Sequence, residues 1–292
     1  MALCRYVIMD TEGNRSDSWG WWADGQIDPL AADDVLEVFA HPGTQGLEAL
    51  AAKAFQNGDS TESSTNTKHQ TPTCLLAPLH LTHEVWAAGV TYESSKLARM
   101  SESAEGGDLY ARVYVADRPE LFFKATPGRV VGPNGKLRIR ADSHWNVPEP
   151  ELAVLVAGNG RILGYTIGND MSSRDIEGAN ALYLPQAKLY RASCGLGPVV
   201  VPAGKVDAQN LPIHLSITRQ EQVVYDGETN TSRMRRSVEQ IVPWLMRENE
   251  FPLGVYLLTG TGIVPPDTFT LQSGDCIDIT IGAIGTLSNT VE

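Results

Sequence analysis

The chain has 292 residues, 42% of them hydrophobic, and a formal net charge of -12. That length supports one large domain or two smaller ones with a sizeable core. The acidity argues against broad binding to nucleic acid or an anionic membrane, which need clustered Lys and Arg, and no apolar run reaches the length of a membrane span.

The first stretch, "MALCRYVIMDTEG", meets Asp10 and Glu12 too early for a signal peptide. Cys4, Cys74, Cys194 and Cys276 are scattered, with no C-x-x-C pair. They read as reduced thiols of a cytoplasmic protein, not as a zinc site or disulfide framework. A strand is expected near residues 5–9 and a second around 19–22. "AADDVLEVFA" and "GLEALAAKAFQ" then carry helical apolar spacing. Residues 57–72, "NGDSTESSTNTKHQTP", are rich in Ser, Thr and Asn and read as a polar linker or long surface loop. The expected organisation is a small N-terminal α/β domain, residues 1–72, ending in that linker, and a catalytic domain, residues 73–292.

After Leu75 short Val- and Ile-rich runs alternate with turn residues: "EVWAAGV", "LFFKA", "ELAVLVAGNGRILGYTI", "PVVV", "IHLSITR", "VYLLTGTGIV" and "CIDITIGAIGTLSNTV". Most are too short for helices, so the fold class is mostly β with some α (α+β). "SVEQIVPWLMREN" reads as a helix, with Ser237 and Gln240 in capping-box spacing and Pro243 as a kink or restart. Residues 100–110, "MSESAEGGDLY", read as a mobile lid, with a plain surface loop as the alternative. No internal repeat is visible.

One run carries chemistry. "VPEPELAVL" places Glu149 and Glu151 at alternate positions of an apolar strand, where side chains share a face. "GNG" at 158–160 signals a hairpin. If Asn159 and Gly160 are the loop, Glu151 falls opposite Gly168, which leaves room for it, and Glu149 falls opposite Asp170. Directly paired residues share a face, so three carboxylates converge. A three-residue loop would instead turn Asp170 to the other side. Three clustered carboxylates cannot all stay ionised without a cation, and a hard divalent ion prefers oxygen ligands. Mg²⁺ suits the site, with Mn²⁺ or Ca²⁺ as alternatives. The plain alternative is an edge strand bearing solvated acids.

"PEPELAVLVAGNGRILGYTIGNDMSSRD", "LPQAKLY…GLGPVVV" and "LLTGTGIVPP…LQSGDCIDITIGAIGTLSN" resemble, in order, the motifs of the fumarylacetoacetate hydrolase family over about residues 80–292. The resemblance implies a mixed β-sandwich roll, usually dimeric or a higher homo-oligomer, with a smaller N-terminal domain. It implies Glu149, Glu151 and Asp170 as metal ligands, Lys188 as the active-site lysine, and Thr261 with Gly260 on a substrate-binding loop.

Hydrolases of the family show N-Y-x-x-H near the first strand. Here "GVTYESSKLARMSES" has Ser95 where the histidine would stand, so the usual base for activating water is missing. "AAGVTYESSKLARMSES", "RPELFFKAT", "ALYLPQAKLY" and "TGTGIVPP" are similar to the branch that dehydrates 2-keto-3-deoxy sugar acids, of the 2-keto-3-deoxy-D-arabinonate type. A small 2-oxo acid chelated to the metal would lose a C3 proton and then its C4 hydroxyl. Lys188 and Glu120 are the acid–base candidates, the lysine with its pKa lowered beside a dication. Ser94 and Arg99, with Gly260 and Thr261, are the expected substrate contacts. Arg118 is a second possible carboxylate clamp, and Arg174 with Asp175 reads as a structural ion pair. A C–C bond hydrolase of an acylpyruvate or diketo sugar acid, and a non-catalytic metabolite binder, are the competing readings.

Overall fold

The structure, a computed structural model, describes residues 1–9, 12–23, 25–58, 74–102 and 107–292. Among these, the larger sheet has eleven strands. Its path runs Gln26–Leu30, Arg15–Ala23, Ala2–Met9, Cys194–Pro202, Ile162–Asp170, Pro150–Val156, Val255–Leu258, Val85–Gly89 and Glu120–Ala125, with Leu75–Leu76 and Val130–Val131 attached at its sides. A five-stranded sheet orders Gln222–Asn230, Pro212–Arg219, Cys276–Ile281, Gly285–Val291 and Lys136–Leu137.

Every residue of Pro150–Val156 is buried, as expected of a strand covered on both faces. Its even positions Leu152 and Val154 join the core made with Ile213, Leu215, Ile277 and Ile279 of the smaller sheet. Its odd positions Ala153 and Leu155 join Leu3, Trp21, Val35 and Phe39 on the other side. The large sheet therefore lies between the small sheet and the N-terminal helix Ala32–Ala40, a layered β-rich arrangement. Pro212–Arg219 shows the period-2 burial of a strand with one wet face.

The expected N-terminal elements are present as strands Ala2–Met9 and Arg15–Ala23 and helices Ala32–Ala40 and Glu48–Gly58. A third strand, Gln26–Leu30, was not signalled. Its Pro29 is tolerated because the strand lies at the sheet edge. Residues 57 and 58 of the expected linker end a helix, and residues 59–72 lie outside the described ones. Leu3 pairs with Val200, so the N-terminal strands extend the catalytic sheet.

The helix Val238–Leu245 forms where expected and runs through Pro243. The Gln240 side chain accepts from Ser237 N at 2.9 Å, completing the capping box. Two further helices, Glu93–Glu102 and Gly107–Val115, take in residues 100–102 and 107–110 of the expected lid, which are therefore helical and not loop, and residues 103–106 lie outside the described ones.

Candidate active site and metal centre

The hairpin reaches the expected register by an unexpected route. Ala157 N donates to Arg161 O at 2.8 Å and Gly160 N to Ala157 O at 2.9 Å. The loop is thus three residues, Gly158 to Gly160, with Gly160 at φ 84°. Left alone, that loop would turn Asp170 away from Glu151. But Val156 pairs with Ile162 and Leu155 with Gly164, so Leu163 is an extra residue, a β-bulge, and the pairing beyond it is Glu151 with Gly168. Asp170 N donates to Glu149 O at 3.0 Å. The space above Gly168 is taken by the Leu258 side chain, which a Cβ there would strike.

Glu149, Glu151 and Asp170 are all buried, with ligand oxygens within 4.8 Å of one another. Glu149 accepts from Lys188 Nζ at 2.7 Å, Arg99 Nη2 at 2.8 Å and Arg174 Nη2 at 3.0 Å. Burial would raise its carboxyl, but these three cations outweigh it and hold Glu149 below the usual carboxylate range. Asp170 faces Lys188 Nζ at 3.1 Å and Lys124 Nζ at 2.6 Å. Glu151 makes no ion pair among the described residues, and Lys188 acts on it only from a distance. It accepts the Gly260 N–H, and burial with the Asp170 and Glu149 charges pushes it well above its ordinary value.

Five carboxylates line the cavity (Glu120, Glu149, Glu151, Asp170, Glu177) against three cations (Arg99, Arg174, Lys188). Adding Glu102, which pairs with Arg99 and Arg174, and Lys124 leaves the excess at two negative charges when every carboxyl is ionised, as a bound cation would favour. A divalent cation offsets that excess, and the triad offers it three hard oxygen ligands. The residues fit such an ion. The free space among them is about 30 Å³, enough for an ion or a water but not for a sugar acid.

Glu120 lines this cavity, and burial followed by the Glu177 charge raises its carboxyl to about 7. Lys188 lines it too. Burial alone would lower its ammonium, but Asp170, Glu149 and Glu177 prevail and hold it above its ordinary value. Gly260 and Thr261 line the cavity. Ser94 does not enter it: its hydroxyl donates to Gly262 O at 2.9 Å on the exposed side, and Ser95 lines the wall instead. Ser95 Oγ donates to Tyr92 O at 2.8 Å.

Arg118 stacks on Trp244 at 4.6 Å and takes no part. Arg174 pairs with Glu102 and Glu149, not with Asp175, which binds Ser143 Oγ at 2.5 Å and His144 N at 2.9 Å. Adjacent residues on a helix do not face each other, which defeats the expected pair. No histidine lines the cavity among the described residues. His83 is buried against Phe39 and Tyr256, its Nε2–H donating to Leu253 O at 2.7 Å, and burial pushes it down to about 4.

Residues 84–292 match the model of the fumarylacetoacetate (FAA) hydrolase C-terminal domain. The chain belongs to the fumarylacetoacetate hydrolase family. Within this family, it is 48% identical over 271 residues to a probable 2-keto-3-deoxyxylonate dehydratase of Haloferax volcanii, covering 90% of this chain and 91% of that one. It is 45% identical over 213 residues to the 2-dehydro-3-deoxy-D-arabinonate dehydratase of Saccharolobus solfataricus, covering 72% of each. A 2-keto-3-deoxy-D-arabinonate dehydratase solved with magnesium and 2,5-dioxopentanoate superposes with TM-score 0.79 at 34% identity, covering 100% of this chain and 99% of that chain.

This family member's site also holds residues that the sequence reading passed over. Lys124 is fully buried, donating to Met171 O at 3.0 Å and Lys188 O at 2.6 Å as well as pairing with Asp170. It lies two and four residues beyond Phe122 and Glu120 on one strand, so period-2 counting from Glu120 would have found it. Glu177 pairs with Arg99 Nη1 at 2.7 Å and accepts from Ser172 Oγ at 3.0 Å. Its spacing of three from Arg174 on one helix was the available signal.

Proposed function

We propose that this chain is a magnesium-dependent hydro-lyase. It removes water from a 2-keto-3-deoxy sugar acid, such as 2-keto-3-deoxy-arabinonate, to give a semialdehyde of the 2-oxoglutarate type. The observation that carries this reading is a buried carboxylate triad faced by Lys188 and Glu120 in a cavity that no described histidine lines. The dehydratase names of its relatives support it.

A bound Mg²⁺ supplies Lewis-acid chemistry, drawing charge from the 2-oxo group and so acidifying the C3 protons. Glu120, raised to about 7, is suited to take a C3 proton at its carboxylate near neutral pH. Lys188 Nζ, held as an ammonium, then delivers a proton to the departing C4 hydroxyl. The 5-hydroxy-3-enoate left by water loss reaches the semialdehyde by tautomerisation, a C5 hydrogen leaving as a proton and protons being taken up along the chain. Gly260 and Thr261 wall the substrate side, and Arg99 offers its guanidinium to the substrate carboxylate by exchanging a partner. The helix Glu93–Glu102 carries Ser95 and Arg99 over the carboxylates, so it must shift to admit substrate. Crystals with and without a substrate analogue test that step, and an unmoved helix in both counts against it.

Hydrolysis of a C–C bond would need a base acting on water, and the Ser95 hydroxyl is engaged with Tyr92 O instead. The deciding experiment incubates the protein and Mg²⁺ with 2-keto-3-deoxy sugar acids and with acylpyruvates, read by mass spectrometry. Loss of one water supports the dehydratase, whereas cleavage into two fragments supports a hydrolase.

The four free thiols support a reducing cytoplasmic setting, and no helix among the described residues is long and apolar enough to cross a membrane. A homodimer or higher homo-oligomer is expected from the family, and light scattering tests it.

A further inference from the structure

We propose that Gly89 is a positioning residue for the reaction: the space left by its missing side chain seats the Glu120 carboxyl and sets where it stands against the substrate. This rests on the reading of Glu120 as the base. Gly89 ends the strand Val85–Gly89 and pairs directly with Glu120, the first residue of Glu120–Ala125. Paired residues on antiparallel strands share a face, and both of these line the cavity. A Cβ on Gly89 would strike Glu120 Oε2 and lie 2.5 Å from its Cδ and 3.2 Å from its Cγ. The carboxyl is therefore folded back over the glycine. Gly89 is not among the glycines with positive φ, so its backbone is open to other residues, and what demands glycine is the space alone.

The seat matters because nothing else fixes this carboxyl. Glu149 and Asp170 are tied to lysines, Glu177 to Arg99 and Ser172, and Glu151 to the Gly260 N–H. Among the described residues Glu120 has no hydrogen bond or ion pair of its own, and only burial and more distant charges act on it. A base that must accept a proton benefits from such freedom. Its reach is then set by shape. An added methyl at Gly89 would push aside only the end of a flexible side chain, leaving the strand pairing and the metal triad in place.

The test compares wild type, Gly89→Ala, Glu120→Asp and the double variant. The readouts are kcat for semialdehyde formation, Mg²⁺ affinity by calorimetry and thermal unfolding. Gly89→Ala is expected to lower kcat roughly 10²-fold, the effect of misplacing a reacting group by about 1 Å, with Mg²⁺ affinity and unfolding close to wild type. Aspartate, one methylene shorter, clears the added methyl. The double variant is therefore expected to be about tenfold more active than Gly89→Ala, a coupling normal for residues in contact. Wild-type kcat in Gly89→Ala, independent effects of the two substitutions, or loss of Mg²⁺ binding in Gly89→Ala would each overturn the seat. If the wild type releases no water from any sugar acid tried, the dehydratase reading fails instead. The seat is then judged from a crystal structure of Gly89→Ala, where a displaced Glu120 carboxyl upholds it and an unmoved one refutes it.

Discussion

Glu149 and Asp170 each pair with cationic side chains, while Glu151 makes no ion pair among the described residues and accepts the Gly260 N–H, with Lys188 acting only from a distance. A buried carboxylate with no ion pair of its own favours binding a proton or a cation. Glu151→Gln is therefore expected to abolish Mg²⁺ binding in calorimetry. It should lower activity by roughly 10³-fold or more, since metal stabilisation of developing charge is worth several kcal/mol. EDTA should do the same to the wild type. Retained activity in either case would remove the metal from the reaction. Glu120→Gln should keep Mg²⁺ affinity while kcat falls by roughly 10²- to 10⁴-fold, the usual contribution of a general base. Glu120 also makes a pH prediction. Its folded-state value, about 7, lies above the ordinary 4.5. The stability it contributes is thus fully present below 4.5 and is lost as pH rises through about 7. Without metal, Glu120→Gln should melt above wild type at pH near 8, with the gap closing towards acid, as followed by thermal unfolding.

At the scale of elements, the metal site depends on one hairpin and on the bulge at Leu163. The Asn-Gly signal announced a turn, and the alternation of Glu149 and Glu151 announced a shared face. Both are local properties, so the sequence could show them. The three-residue loop and the compensating bulge could not be read, because each is a choice among pairings of similar local energy that packing of both strands resolves. Gly160, at φ 84°, is needed by the turn. Gly160→Ala should destabilise by roughly 1–2 kcal/mol, the cost of the left-handed region for a residue with a Cβ. This is measurable by denaturant unfolding, with Mg²⁺ affinity retained. A loss of metal binding would show that the turn does more than close the hairpin. The helix Glu93–Glu102 escaped notice for a different reason. Its buried residues are Ser95 and Arg99, so the face turned inward is polar and leaves no apolar stripe to detect.

For the whole molecule, the N-terminal strands and helices share a sheet and a core with the catalytic strands, through the Leu3–Val200 pairing and the packing of Trp21 and Phe39 with Ala153, Leu155 and Tyr256. Removing residues 1–72 would open the edge of Cys194–Pro202 and bare that apolar face, a combination that favours aggregation. The truncated chain should be insoluble or melt well below the full chain. A truncation that stays folded with an unchanged melting temperature would show the segment to be dispensable. What the sequence by itself determined was local or motif-borne: the strand-rich class, the E-x-E strand, the turn, the lysine and the missing histidine. Those follow from residue type and short-range spacing. Only the tertiary structure decided which charges meet. Arg99, Lys124 and Arg174 come to the triad from three separate elements, and Glu177, on the same helix as Arg174, pairs with Arg99 beside it. Gly89 comes to Glu120 across two paired strands. Contacts between residues far apart in the chain are set by how the layers pack, which no short window of sequence contains.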